Sequence, residues 1–167
     1  MKRITCLLII SFYAFSCFAQ SEPAILLEKG VNAFNAELPD SAVYYWRQVV
    51  TRYKDSTWYY GRAMNNIPVA YESAGNVAKA AEAYHAILQS DLNDKEDNDG
   101  NIMEPYTNYR HNACMRMARM YAANNDFSKA LEALQWAEHK YKYQTFSGTS
   151  YEKRLVSIAS WRSDFYK

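Results

Sequence analysis

The sequence predicts an all-α protein made of helical hairpins stacked as a repeating array. Residues 71–87, YESAGNVAKAAEAYHAI, are echoed fifty residues later by residues 121–137, YAANNDFSKALEALQWA. Both read as a helix end, a tight turn, and a second helix opening on Lys-Ala-x-Glu-Ala. Within each copy Ala80, Tyr84 and Ile87, or Ala130, Leu134 and Ala137, recur at i, i+4 and i+7, the stripe of a buried helix face. Self-similarity of this kind marks architectures whose units bury their apolar faces only against neighbours.

At the N-terminus, Met1, Lys2 and Arg3 cap a sixteen-residue apolar run, and the small Cys17 and Ala19 flank Phe18 ahead of Gln20. That layout predicts a secretory signal peptide over 1–19, since a spanning helix needs about 20 apolar residues. Two alternatives stay open: an uncleaved anchor, and a lipoprotein box at Ala14-Phe15-Ser16-Cys17 with Cys17 lipidated, although no Leu stands three residues before that Cys. Cleavage would leave 17 of the 19 basic side chains against 18 acidic ones, moving the formal charge from +1 to −1. No basic stripe points to nucleic acid. Cys114 would remain as a lone cysteine, so residues 20–167 form one domain held by packing without an intramolecular disulfide.

Glu22 and Pro23 suit a helix start, and the first helix is expected to run to Ala36. After Leu38-Pro39-Asp40-Ser41, a second helix should turn Ala42, Trp46, Val49 and Val50 inward and Arg47, Gln48 and Arg52 outward. The third, about 58–74, contains Pro68, which removes a backbone bond and predicts a kink. The fourth spans about 76–90. Residues 91–104 form an acidic insertion, in which Asp91, Asp94, Glu96, Asp97 and Asp99 face only Lys95. Asp97-Asn98-Asp99-Gly100 has the look of an EF-hand core, but Lys95 takes the place of the first ligand and the final glutamate is missing, so a solvated linker is expected. The fifth helix should start near Pro105 and run through Tyr121, and the sixth should cover 127–143. Following the Gly/Ser/Thr break TFSGTS, a cap helix over about 151–165 should face Leu155, Ile158, Ala159 and Trp161 inward.

The spacing of Tyr71, Gly75, Asn76, Ala80 and Tyr84 resembles the tetratricopeptide repeat family. Tyr121, Asn125, Asp126, Phe127, Ala130 and Ala137, with Ala118 three residues before Tyr121, resemble it more closely. A weaker copy lies over Leu26, Gly30, Ala33, Ala42, Trp46 and Val49, where Pro39 and Asp40 take the place of the usual Gly-Asp turn. The resemblance implies a right-handed α-solenoid of about three hairpins, over about 22–53, 57–90 and 105–143, plus the cap. It also implies a concave groove lined by the first helix of each hairpin. Carried onto this chain, the groove positions are Leu27, Val31 and Phe34, then Arg62, Asn65, Val69 and Glu72, then Asn112, Met115, Arg119 and Ala122. The family's clamp for a terminal carboxylate finds only Asn66 and Arg116 in place, with Leu27, Val31 and Asn112 at the other positions, so that clamp is not expected.

Catalytic patterns are missing. His85, His111 and His139 have no partner at metal-ligand spacing and are read as surface or interface histidines. Cys114 falls on a core register of the fifth helix. Five glycines leave no phosphate loop, and Ser147-Gly148-Thr149-Ser150 lacks the glycines of a nucleophile elbow. Most of the fifteen tyrosines are expected to pack between helices with wet hydroxyls. The sequence therefore predicts an exported, non-enzymatic interaction module of the periplasm or cell envelope. It is expected to bind a peptide or protein in its groove, without cofactor, metal or nucleic acid, and without a transmembrane segment in the mature chain. An envelope-assembly lipoprotein, a glycan binder or enzyme, and a homodimer through the exposed repeat edge stay open as alternatives.

Overall fold

The computed structural model describes residues 21–94 and 106–166. The expected signal segment, Cys17, Pro105 and residues 95–104 of the insertion lie outside the described residues. Within them the chain is all-helical: α1 Glu22–Asn35, α2 Pro39–Arg52, α3 Thr57–Ser73, α4 Val77–Gln89, α5 Tyr109–Ala123, α6 Phe127–Gln135 with a π-helical turn Trp136–Lys140, and α7 Gly148–Phe165.

Three pairs of helices are joined by one kind of turn. Glu37, Gly75 and Asn125 all adopt the left-handed conformation, with φ of 59°, 69° and 60°. In each turn the next residue donates its N–H back to a carbonyl of the helix that is ending: Leu38 to Ala33, Asn76 to Tyr71, and Asp126 to Tyr121. These six-to-one bonds satisfy carbonyls that a helix end otherwise leaves bare. The turn of the first copy therefore sits at Glu37-Leu38, ahead of the Pro39-Asp40 pair that the sequence suggested. Pro39 instead opens α2, where its missing N–H costs nothing. Asn76 and Asp126 cap α4 and α6 by accepting from the Lys79 and Lys129 N–H groups. Leu38 has no side chain able to do so.

With the turns as origin, the interior of the three copies falls into register. Five residues on stand Ala42, Ala80 and Ala130, all fully buried. Nine on stand Trp46, Tyr84 and Leu134, and twelve on Val49, Ile87 and Ala137, each no more than 2% exposed. The alanines let the paired helices approach, and the bulky residues fill the space above them. Gly30 does the same for Trp46: a Cβ there would fall 2.1 Å from the indole nitrogen. That nitrogen donates instead to the Leu27 carbonyl at 3.2 Å. Each helix packs on its chain neighbours, and α3 also touches both α1 and α5.

Helix α3 runs unbroken through the fully buried Pro68, close to its expected bounds. Several other elements differ from theirs. Helix α5 starts at Tyr109, because Asn108 just before it is left-handed and committed elsewhere. The Asn108 amide accepts from the Gln144 N–H at 2.7 Å and donates to the Gln144 carbonyl at 2.9 Å, pairing like a strand with the segment after α6. Helix α6 widens at Trp136 and stops at Tyr141, whose N–H bonds the Trp136 carbonyl at 2.8 Å. The cap helix begins earlier than expected, at Gly148, with the Ser147 hydroxyl accepting from the Ser150 N–H. Of its inward set only Ile158 is fully buried. Leu155 and Trp161 are half-buried, and Ala159 is exposed, contrary to expectation. Helix α7 rests mainly on α6, so its face toward Ala159 has no helix to cover it.

Candidate functional site

Three helices line an open cavity of about 630 Å³. Helix α5 supplies Asn112, Met115, Arg116 and Arg119, which lie at i, i+3, i+4 and i+7 and so share one face. Helix α3 adds Asn65, and α7 adds Arg154 and Trp161, two turns apart on one side of that helix. Of the expected groove residues, Asn65, Asn112, Met115 and Arg119 thus come together around a single space.

The others are placed elsewhere. Leu27 is buried, with its carbonyl engaged by Trp46, and Phe34 packs against the Trp46 ring with centroids 6.0 Å apart. Val31 is exposed on α1, Val69 is half-buried, and Arg62 stacks over the Trp58 ring at 4.6 Å. Glu72 accepts a hydrogen bond from the buried Tyr84 hydroxyl. Burial chiefly, and then this carboxylate, hold the Tyr84 phenol far above its ordinary pKa, while Arg116 pulls the other way.

The charge balance inside is one-sided. Among the described residues, three guanidinium groups and no carboxylate line the space. Arg154 is held over the Tyr143 ring, its carbon 4.7 Å from the centroid, an attraction that orients the side chain while leaving its donors unspent. The Asn112 amide nitrogen reaches only a long bond, 3.4 Å, to the Thr107 carbonyl. Trp161 and the edge of Met115 contribute the apolar part of the wall. Sequence reasoning missed Arg154 and placed Trp161 merely inward. The signal available was their seven-residue spacing on α7.

A second cleft, of about 280 Å³, lies between α2, α3 and α4, with apolar walls of Val50, Met64 and Ile67. Its polar rim is already engaged within the chain, since Arg47 bonds the Tyr71 hydroxyl at 3.2 Å and Lys79 lies over the same ring.

No family model matches this chain, and no curated protein is significantly similar to it.

Among the described residues, no group of three His, Cys, Asp or Glu side chains could hold a metal ion, and no helix is long and apolar enough to cross a membrane. Cys114 is fully buried on α5, and burial pushes its thiol up to about 12, which keeps it a thiol and a poor nucleophile at neutral pH. His111 is buried as well, inside the chain where the sequence had suggested a surface or interface histidine. Its Nδ1 lies 2.9 Å from the Tyr141 carbonyl, an acceptor that requires the proton on that nitrogen. Nε2 is then a buried lone pair with no hydrogen-bond partner among the described residues. Burial lowers the His111 pKa, more than the Tyr141 and Ala137 carbonyls raise it.

Proposed function

We propose that this chain is a tetratricopeptide-like solenoid, of right-handed sense, acting as an exported interaction module that binds a peptide or protein segment without chemistry. The observation that carries the proposal is the convergence of Asn65, Asn112, Arg116, Arg119, Arg154 and Trp161, contributed by three helices, on one cavity of about 630 Å³. Concave sites between packed helices are common places for a ligand, and the mostly polar lining of this one suits a polar or charged segment. Contacts of α3 with both α1 and α5 support the stacked-hairpin reading. Export, with or without lipid on Cys17, belongs to the same proposal and is supported by the basic and apolar pattern of the first nineteen residues.

A photo-crosslinking amino acid at Asn112, beside a control at Tyr44 on exposed α2 surface, tests the site in envelope extract. A protein crosslinked from position 112 and not from 44, and lost in an Arg119→Glu, Arg154→Glu background, supports the reading. Equal crosslinking from both positions rejects it. The mass of the exported chain separates a free N-terminus at Gln20 from a lipidated Cys17.

A further inference from the structure

Building on the peptide-groove reading, we infer that the cavity selects an extended acidic segment, whose side-chain carboxylates are gripped between Arg119 of α5 and Arg154 of α7. Among the described residues, nothing lining the cavity balances these two charges. Arg119 and Arg154 form no ion pair among the described residues. Planar guanidinium forks suit carboxylates, which they can engage through two parallel bonds.

The remaining wall argues for a peptide rather than a phosphate. A phosphate needs donors only. Asn65 and Asn112 offer amide groups that both donate and accept, as the backbone of an extended chain requires. Side chains of an extended peptide alternate in direction, so acidic residues reaching the arginines leave intervening apolar ones to meet Trp161 and Met115. The formal charge of the chain, +1 over its whole length, supplies no general attraction for polyanions, which makes the cationic character of this cavity a local feature.

This selection depends on α7. Two of the seven lining residues come from it, so the helix expected only to cap the array also forms one wall of the binding site.

The test uses the full mature chain and fluorescent ten-residue peptides in which Asp and Glu alternate with Ala and Tyr, both ends blocked. Affinity by polarisation should exceed that of the Asn/Gln counterpart by at least about tenfold, the ratio expected for about 1.4 kcal/mol. It should fall as salt rises, and Arg119→Gln and Arg154→Gln should each weaken it about tenfold with helicity unchanged. Because Arg154 also holds Tyr143, Arg119→Gln alone keeps the test decisive if the other variant misfolds. Equal binding of acidic and amide peptides, lost on Trp161→Ala, overturns the acidic selection and leaves the groove standing. Binding that requires a free C-terminal carboxylate overturns it in favour of an end clamp. Binding of oligogalacturonate in place of every peptide, or of no probe at all, overturns both.

Discussion

Glu37 sits at φ 59°, where a side chain with a Cβ is strained by about 1 kcal/mol. Gly75, at the matching position of the second hairpin, is free of that strain, and a Cβ there would meet no atom within 4 Å. Glu37→Gly is therefore expected to stabilise the protein by about 0.5–1 kcal/mol, and Gly75→Ala to destabilise it by about as much. Paired urea titrations measure both, and the two shifts should have opposite signs. Gly30→Ala should cost more, about 1–3 kcal/mol, because the added methyl must displace the Trp46 ring. His111 sets a pH dependence. Its folded pKa lies below the ordinary 6.5, so the unfolded chain binds the proton more readily and stability rises with pH across that window. The contribution is complete above about pH 6.5 and is lost as pH falls from there toward the folded pKa. Thermal melts at pH 7.5 and 5.0 should show the loss in the parent and a smaller one in His111→Asn, which keeps a donor for the Tyr141 carbonyl without a titrating ring.

At the level of elements, α7 is the least secured helix. Only Ile158 is fully buried along its eighteen residues, assisted by the Arg162–Glu138 ion pair and the approach of Phe165 to Phe127 at 6.1 Å. Ile158→Asp should therefore release α7 while leaving the hairpins folded. Hydrogen exchange should speed up over 148–165 alone, and peptide binding should fall with it. Loss of protection throughout α3 and α5 would show instead that α7 is needed for the whole fold. The π-helical turn at the end of α6 has its own local role. It carries Tyr141 to where its carbonyl meets His111 and its hydroxyl reaches the Leu88 carbonyl at 3.4 Å, linking the second and third hairpins.

For the whole molecule, most of the helices were legible because the hairpins bury local, periodic stripes. Ala80, Tyr84 and Ile87 disclose their helix in the spacing alone, and so do Ala130, Leu134 and Ala137. What was illegible depends on contacts between residues far apart in the chain. Asn108 ends up left-handed because Gln144, thirty-six residues away, meets its amide. His111 is buried by the segment carrying Tyr141 and Tyr143, whose ring lies 5.3 Å from the imidazole. Four of the cavity residues, Asn65, Asn112, Met115 and Arg119, stand at groove positions that the family resemblance implies on α3 and α5. Arg154 and Trp161 were not legible, because their seven-residue spacing puts them on one side of α7 without saying which neighbour that side meets, and this depends on how α7 settles onto α6.

The turns at Glu37, Gly75 and Asn125 are thirty-eight and then fifty residues apart, yet α4 and α5 still pack together. Arg110 holds the two ends of that longer interval. Its guanidinium donates to the Leu92 carbonyl at 2.6 Å, to the Ser90 carbonyl and to Asp94 at 3.0 Å, and its backbone N–H donates to Asp94 at 3.2 Å. Thr107 adds a bond to the Asn93 carbonyl at 3.1 Å. Covalent continuity between these ends is thus doubled by a polar latch. Fragments 21–94 and 106–166, expressed from separate genes, should reassemble as a split protein with the helical spectrum of the parent. Arg110→Ala, which strands two carbonyls and leaves Asp94 only the backbone N–H, at a cost of about 1–3 kcal/mol, should raise the dissociation constant of the halves at least about fivefold.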